Sequence, residues 1–134
     1  MTNSKDLDFS YSGLKTAVAN LSHTFQVKKM PYTWKVKQDL AASIEDTIVK
    51  SLINKLTQAL KKYPVKDVLV AGGVAANQKL KVELEKLTQS LGIKLHIPPP
   101  QLCTDNAAMI ASAAFFQKPA KNPFGVQADP NLAL

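Results

Sequence analysis

Apolar residues recur every four positions over the longest periodic stretch of the chain, residues 36–62. This spacing places them along one side of a helix. The stripe comprises Val36, Leu40, Ile44, Ile48, Leu52, Leu56 and Leu60. Tyr63 and Pro64 end the predicted helix, because proline disfavours helical backbone in the residue that precedes it. The pattern therefore predicts one long amphipathic helix.

The segment before this helix has a weaker and more broken pattern. Alternating apolar and polar residues predict a short strand or extended arm over 4–12, and the spacing from Leu14 to Leu21 predicts a short helix. Residues 23–35 combine lysines, aromatic residues and Pro31, which predicts a basic, aromatic loop.

Two short apolar runs after the long helix, residues 67–71 and 93–97, predict buried strands. A helix over about 76–91 separates them, and Gly92 closes it. A last helix, rich in small residues, follows with Thr104 or Asp105 as its N-cap. The tail after Pro119 has no regular period, which predicts an extended chain.

This alternation of helices and strands predicts an α/β fold with right-handed crossovers and parallel strands. The predicted division is an arm, short helix and loop over 1–35, an α/β core over 36–118, and an extended tail over 119–134. A sheet of two strands is marginal by itself. The pattern therefore indicates part of a larger fold.

Composition narrows the classes of protein. The 134 residues suit one domain, no apolar run reaches the length of a membrane span, and Met1–Asp8 holds no signal-like apolar stretch, so we expect a cytoplasmic chain without a membrane partner. Cys103 is the only cysteine, which excludes an intrachain disulfide. The net charge of +7 comes from 17 lysines, which suits either a polyanionic partner or an ordinary solvated surface.

The turn after the first strand contains candidate binding chemistry. Gly72 and Gly73 allow positive φ and let a ligand approach the backbone, while the helix that follows directs unpaired N–H groups at the same crevice. Open α/β sheets bind ligands at this edge, and phosphate suits a helix N-terminus. A plain tight connection that uses glycine for packing explains the same residues.

Three segments resemble, in order, the signatures of one family. They are residues 8–16 (DFSYSGLKT), 71–77 (AGGVAAN) and 103–111 (CTDNAAMIA). Together they are similar to the tRNA threonylcarbamoyladenosine transferase family, TsaD in bacteria, once called O-sialoglycoprotein endopeptidase or glycoprotease. The resemblance implies a partial lobe of the actin/Hsp70-like (ASKHA) fold. The family's His-x-x-x-His metal pair has no counterpart here, because His23 and His96 match neither position.

The resemblance also implies a reaction and its participants. The whole enzyme would move threonylcarbamoyl from its adenylate to N6 of the tRNA adenosine beside the anticodon. Gly72, Gly73 and Asn77 would hold the adenylate or ATP, and Asp105 would be one ligand of a divalent metal, iron or zinc. The implied partners are tRNA, an inactive paralogue and a small P-loop ATPase. No chemical role follows for Ser10, Ser12 or Lys15.

Other interpretations stay open at this point. A different ASKHA enzyme, such as a carbamoyltransferase or kinase, has a similar fold, and the old glycoprotease name implies a metalloprotease. A non-catalytic module could use the 36–62 helix to bind a partner. Under the transferase interpretation we expect this chain alone to be inactive and to self-associate, with a homodimer as one form. We also expect Asn77 and Asp105 side chains about 8–15 Å apart, at one crevice.

Overall fold

The computed structural model describes residues 7–119, 121–125 and 127–128. Six regular elements follow one another: α1 (Ser12–Val27), α2 (Trp34–Lys62), β1 (Asp67–Leu69), α3 (Gln78–Leu91), β2 (Lys94–His96) and α4 (Ala107–Phe115). Short 3-10 turns occur at Gly73–Ala76, Pro100–Leu102 and Pro123–Gly125. This order confirms the predicted α/β class.

The two strands form a parallel pair, as predicted. Val68 lies opposite Leu95 in the register, and Leu69 lies opposite His96. The pairing continues one residue further, because the Val70 N–H donates to the His96 carbonyl at 3.0 Å. Both carboxyl ends therefore lie at one edge of the sheet, where β1 leads to the glycine turn and β2 leads to the prolines.

The core lies where α2 and α3 pack together and against one face of the sheet. Val49 from α2 and Leu80 and Leu84 from α3 are its buried centre. Leu52, Ile53, Leu56, Val70, Leu95 and Ile97 pack around them. The predicted stripe of α2 thus reaches the core through its central part, and alternate strand residues supply the rest.

The opposite face of the sheet is open in the part of the chain that the structure describes. Leu69 is 77% exposed, and Asp67, Lys94 and His96 are exposed on the same side of the strands. Parallel sheets are normally covered on both faces. This open face agrees with the expectation that the chain forms part of a larger fold.

The first 35 residues differ from their predicted structure. α1 continues through Val27, so His23 lies on an exposed helical surface and the loop shrinks to residues 28–33. No proline or glycine interrupts the chain between Leu14 and Pro31, which is why the helix runs on. Residues 7–11 form neither helix nor strand, so of the two predicted alternatives, a short strand or an extended arm, the strand is wrong there. Residues 4–6 lie outside the described part.

The long helix begins two residues earlier than predicted. Thr33 is its N-cap, and the Thr33 hydroxyl oxygen accepts from the Val36 N–H at 3.3 Å. At the other end of the chain, α4 is present but contributes no buried residue. The predicted extended tail contains the Pro123–Gly125 turn, and most of its remainder lies outside the described residues. None of the described helices is both long and apolar enough to cross a membrane.

Candidate functional site

The glycine turn after β1 needs glycine at one position and tolerates other residues at the next. Gly72 has φ +89° and ψ 171°, a conformation that is essentially restricted to glycine. Gly73 has ordinary φ and begins the 3-10 turn, in which the Ala75 N–H donates to the Gly72 carbonyl at 2.9 Å. A Cβ built on either glycine would meet no atom within 4 Å. The turn is therefore open to an approaching ligand.

Asn77 is the N-cap of α3, and the helix begins at Gln78 rather than at the predicted Ala76. The Asn77 side-chain oxygen accepts from the Leu80 N–H at 2.8 Å. The Asn77 side-chain amide donates to a Glu45 carboxylate oxygen at 2.7 Å. The predicted ligand-binding asparagine therefore has a structural task on both of its polar atoms. Asparagine directly before a helix is a known capping signal, so sequence alone could have revealed the first contact.

A second contact fixes the same helix start to α2. Asp46 forms ion pairs with Lys79 in the first turn of α3 and with Lys50 one turn along α2, the latter at 2.8 Å. Hydrogen bonds from Lys50, and next from Lys79, lower the pKa of Asp46 to about 2. The bond to Asp46 in turn raises the pKa of Lys79. Sequence reasoning missed Glu45 and Asp46, since no local pattern links them to α3.

Backbone donors remain free where α3 begins. The first intrahelical bond runs from the Lys81 N–H to the Asn77 carbonyl, and the side chain of Asn77 caps Leu80. The N–H groups of Gln78 and Lys79 therefore have no intrahelical partner. Such groups, at the positive end of a helix, suit an anion. The start of α3, which follows the glycine turn in the chain, is therefore a candidate site for an anion.

Two clefts lie on either side of α3. One, of about 590 Å³, lies between α2 and the glycine turn, and its lining includes Gly73, Asn77 and Glu45. The other, of about 500 Å³, lies along β2 and the prolines, and its lining includes Gln78 and Cys103. The structure thus brings the predicted glycine and asparagine together at one groove.

Asp105 lies in an exposed loop before α4. The predicted capping role belongs instead to Asn106, whose side-chain oxygen accepts from the Met109 N–H at 2.9 Å, and α4 begins at Ala107. Asp105 is not among the described residues that line either cleft. Its predicted distance from Asn77 stays a prediction.

The remaining candidates have ordinary surroundings. His96 forms a 2.8 Å hydrogen bond with Asp67 across the strands, as expected of a structural histidine, although its side chain is 43% exposed. Cys103 is 3% exposed, and its thiol faces the Pro98 carbonyl at 3.5 Å.

The first motif forms the entry to α1. The Ser10 and Ser12 hydroxyl oxygens are 2.8 Å apart, and Ser12 begins the helix. Lys15 lines a cavity of about 490 Å³ with Tyr11 and Ile44, between α1 and α2. These contacts explain the local structure, and no reaction follows from them.

Comparison with known proteins supports the motif resemblance. A family profile described as tRNA N6-adenosine threonylcarbamoyltransferase (TsaD) matches residues 1–112. Relatives of that name in Bacillus subtilis and Thermosipho africanus are 45% and 40% identical, over 95% and 100% of this chain. The relative in Streptococcus gordonii is 44% identical over 100% of it. The alignments cover 37%, 40% and 39% of these relatives, so the chain spans about two fifths of their length.

Proposed function

Because this chain belongs to the tRNA N6-adenosine threonylcarbamoyltransferase family, we propose that it forms the adenylate-binding part of such a transferase. The whole protein would move a threonylcarbamoyl group from its adenylate to N6 of the tRNA adenosine beside the anticodon. Membership in this family also favours the transferase over the kinase, metalloprotease and interaction-module interpretations, since the relatives named above carry the transferase name.

One observation carries the proposal: the glycine turn is open on the side where a side chain would otherwise stand. No atom lies within 4 Å of a Cβ placed on Gly72 or Gly73. The free N–H groups of Gln78 and Lys79 are close in the chain, at the start of α3. An adenylate presents a phosphate, and an open backbone next to a helix N-terminus suits that group.

The proposed transfer requires stabilisation of a leaving phosphate. The N6 amine would attack the carbamoyl carbon, the bond from that carbon to the phosphate oxygen would break, and N6 would lose a proton. Negative charge then grows on the departing adenosine monophosphate. The backbone donors at the start of α3 would stabilise this charge, and their fixed position avoids a reorganisation cost during the reaction.

Asn77 would act mainly as a positioning residue in this scheme. Its side-chain oxygen and amide already contact Leu80 and Glu45. These bonds fix the direction of the first turn of α3, and therefore of its free N–H groups. A direct contact between Asn77 and the ligand would have to replace or share one of these bonds.

Among the residues that the structure describes, Asp105 is the ligand we propose for the divalent iron or zinc. Asp105 is an exposed carboxylate, and no group of three potential ligands from His, Cys, Asp and Glu occurs among the described residues. A transition-metal site requires several converging ligands. The metal would therefore depend on groups outside this set, and we assign it no step.

The partners proposed for the whole protein are tRNA, an inactive paralogue and a small P-loop ATPase. The net charge of +7 supports the first of them, because a positive surface attracts a polyanion. The exposed apolar residues, among them Leu69, Phe115 and Phe116, support a protein partner or a second copy of the chain.

Substitution of Gly73 tests the proposal. Gly73→Ala adds one methyl group in open space and at ordinary φ, so the fold should be unchanged. In the complete enzyme, the same methyl group should weaken binding of a non-hydrolysable threonylcarbamoyl-adenylate analogue about tenfold. Calorimetric titration measures this, and affinity for tRNA should not change. Unchanged affinity for the analogue would exclude the glycine turn as its binding site.

A further inference from the structure

The bend between α1 and α2 carries most of the excess positive charge of the chain. Residues 9–38 contain five lysines and no acidic residue, which is +5 of the net +7. Four of the five lie within residues 25–37, which we call the α1–α2 bend: Lys28, Lys29, Lys35 and Lys37. Lys35 forms a 2.8 Å ion pair with Asp39, just beyond the bend. Like charges close together cost stability, so a cluster of this kind indicates an anionic partner.

Aromatic rings are interleaved with these lysines. Trp34 is 73% exposed and Tyr32 is 42% exposed. Tyr32 packs against Phe25 with ring centroids 5.4 Å apart, and the Lys37 ammonium lies 5.4 Å from the centre of the Tyr32 ring. Aromatic rings beside lysines are the combination that binds unpaired nucleotides, since bases stack on rings while phosphates contact cations.

A small cavity opens at the same place. It has a volume of about 290 Å³, and its lining comprises Ser22, Phe25, Gln26, Lys29, Met30 and Tyr32. This is close to the lower end of the range for small-molecule sites, about 300–1,000 Å³. The packed pair of aromatic rings, one amide and one ammonium in this lining are groups that can contact a single nucleobase and its phosphate.

The backbone fixes the shape of the bend. The Met30 N–H donates to the Phe25 carbonyl at 3.0 Å, and Lys29 adopts φ +48°, which reverses the chain after α1. Thr33 then caps α2, so the positive end of that helix lies in the same bend. The backbone that carries the rings and lysines is therefore held in place before any partner arrives.

We propose that the α1–α2 bend binds unpaired nucleotides of RNA, with Trp34 as a stacking platform, Lys28 and Lys29 on phosphates, and the small cavity on one base. That the RNA is the tRNA substrate rests on the function proposed above. The bend itself would bind single-stranded RNA whichever reaction the whole protein performs.

The chain offers a matched control for the lysines. Lys61 and Lys62 are also adjacent and exposed, and Lys62 lies over the Tyr63 ring at 5.3 Å, as Lys37 in the bend lies over Tyr32. They end the 29-residue α2, so they are about 40 Å from the bend. The variants Lys28→Gln/Lys29→Gln and Lys61→Gln/Lys62→Gln therefore remove equal charge from two similar surroundings.

The experiment titrates the chain with a labelled RNA stem-loop, a duplex of the same length, and vesicles of phosphatidylcholine and phosphatidylserine. Trp34 is the only tryptophan, so quenching of its fluorescence reports contact directly. We expect tighter binding of the stem-loop than of the duplex. Trp34→Ala should weaken stem-loop binding about 5- to 150-fold in fluorescence anisotropy, and Trp34→Phe should retain part of the affinity.

The salt dependence separates specific from diffuse attraction. Lys28→Gln/Lys29→Gln should reduce the slope of log K against log salt by about 1.4, since each phosphate contact on a single strand contributes about 0.7. The Lys61→Gln/Lys62→Gln control should leave the slope unchanged. Far-UV circular dichroism of each variant checks that the helices persist.

Three results would overturn the proposal: equal losses in the two double variants, no loss in Trp34→Ala, or tighter binding of the anionic vesicles than of RNA. The last would identify the bend as a membrane-surface contact instead. The proposed function has a separate test, which is transfer of threonylcarbamoyl to tRNA by the complete enzyme. If the bend variants lose no RNA affinity while the complete enzyme still performs this transfer, only the assignment of the bend as an RNA-binding surface is wrong.

Discussion

Two substitutions of Asn77, to alanine and to serine, test how its two side-chain contacts stabilise the start of α3. Asn77→Ala removes the cap on the Leu80 N–H and the amide bond to Glu45. An N-cap contributes about 1 kcal/mol, within a range of about 0.5–2. The second, largely exposed bond contributes about 0.5 kcal/mol. We therefore expect a loss of about 1.5 kcal/mol in the free energy of unfolding.

A second substitution provides the control. Asn77→Ser keeps an oxygen that can cap the helix but loses the amide, so the expected loss is about 0.5 kcal/mol. Urea denaturation followed by circular dichroism at 222 nm measures both values, and the slope m should not change. The reasoning is refuted if alanine and serine cost the same, because the cap would then contribute nothing. In the Glu45→Ala background the difference between them should persist, since Glu45 contacts only the amide.

Three further outcomes follow from the structure. Gly72→Ala should lower the free energy of unfolding by about 1–3 kcal/mol because Gly72 has φ +89°, whereas Gly73→Ala should lower it by less than about 0.5 kcal/mol. Equal losses for the two variants in urea denaturation would contradict this. Hydrogen bonds from Lys50 and Lys79 lower the pKa of Asp46 from 3.8 to about 2 in the folded chain, so the stability from these pairs is present above pH 4 and lost as pH falls towards 2. Asp46→Asn should flatten that part of the pH–stability curve, and an unchanged curve would show that the pairs contribute nothing. The chain alone should modify no tRNA when given the adenylate, and modified nucleoside in a mass-spectrometric assay would disprove this.

The sequence determined the parts of the fold that depend on local preference and on periodicity. The stripe along residues 36–62 gave α2 because apolar residues at helical spacing have one way to become buried together. Gly92, with φ +66°, ends α3 as predicted, since glycine tolerates the left-handed conformation. The parallel pairing of β1 and β2 followed from the helix between them.

Local preference also explains the predictions that were wrong. α1 was expected to end at Leu21, yet it runs to Val27 because nothing in the intervening residues breaks a helix. For the first residues the prediction allowed a strand or an extended arm, and no strand formed over residues 7–11, because alternation alone cannot supply a neighbouring strand to pair with. Asn106, not Thr104 or Asp105, caps α4, since several adjacent residues were suitable caps and only the final geometry selects one.

In the candidate functional site, too, some features follow from the local sequence and others only from the tertiary structure. Gly72, Gly73 and Asn77 could be predicted as candidates from the sequence, because their properties belong to the backbone and to the start of a helix. The tertiary structure alone decided that Glu45, 32 residues before Asn77, would bond to it, and that Asp46 would pair with Lys79. Contacts between residues far apart in the chain depend on how α2 and α3 pack. Their packing is fixed by the shared core of Val49, Leu80 and Leu84 rather than by any local pattern.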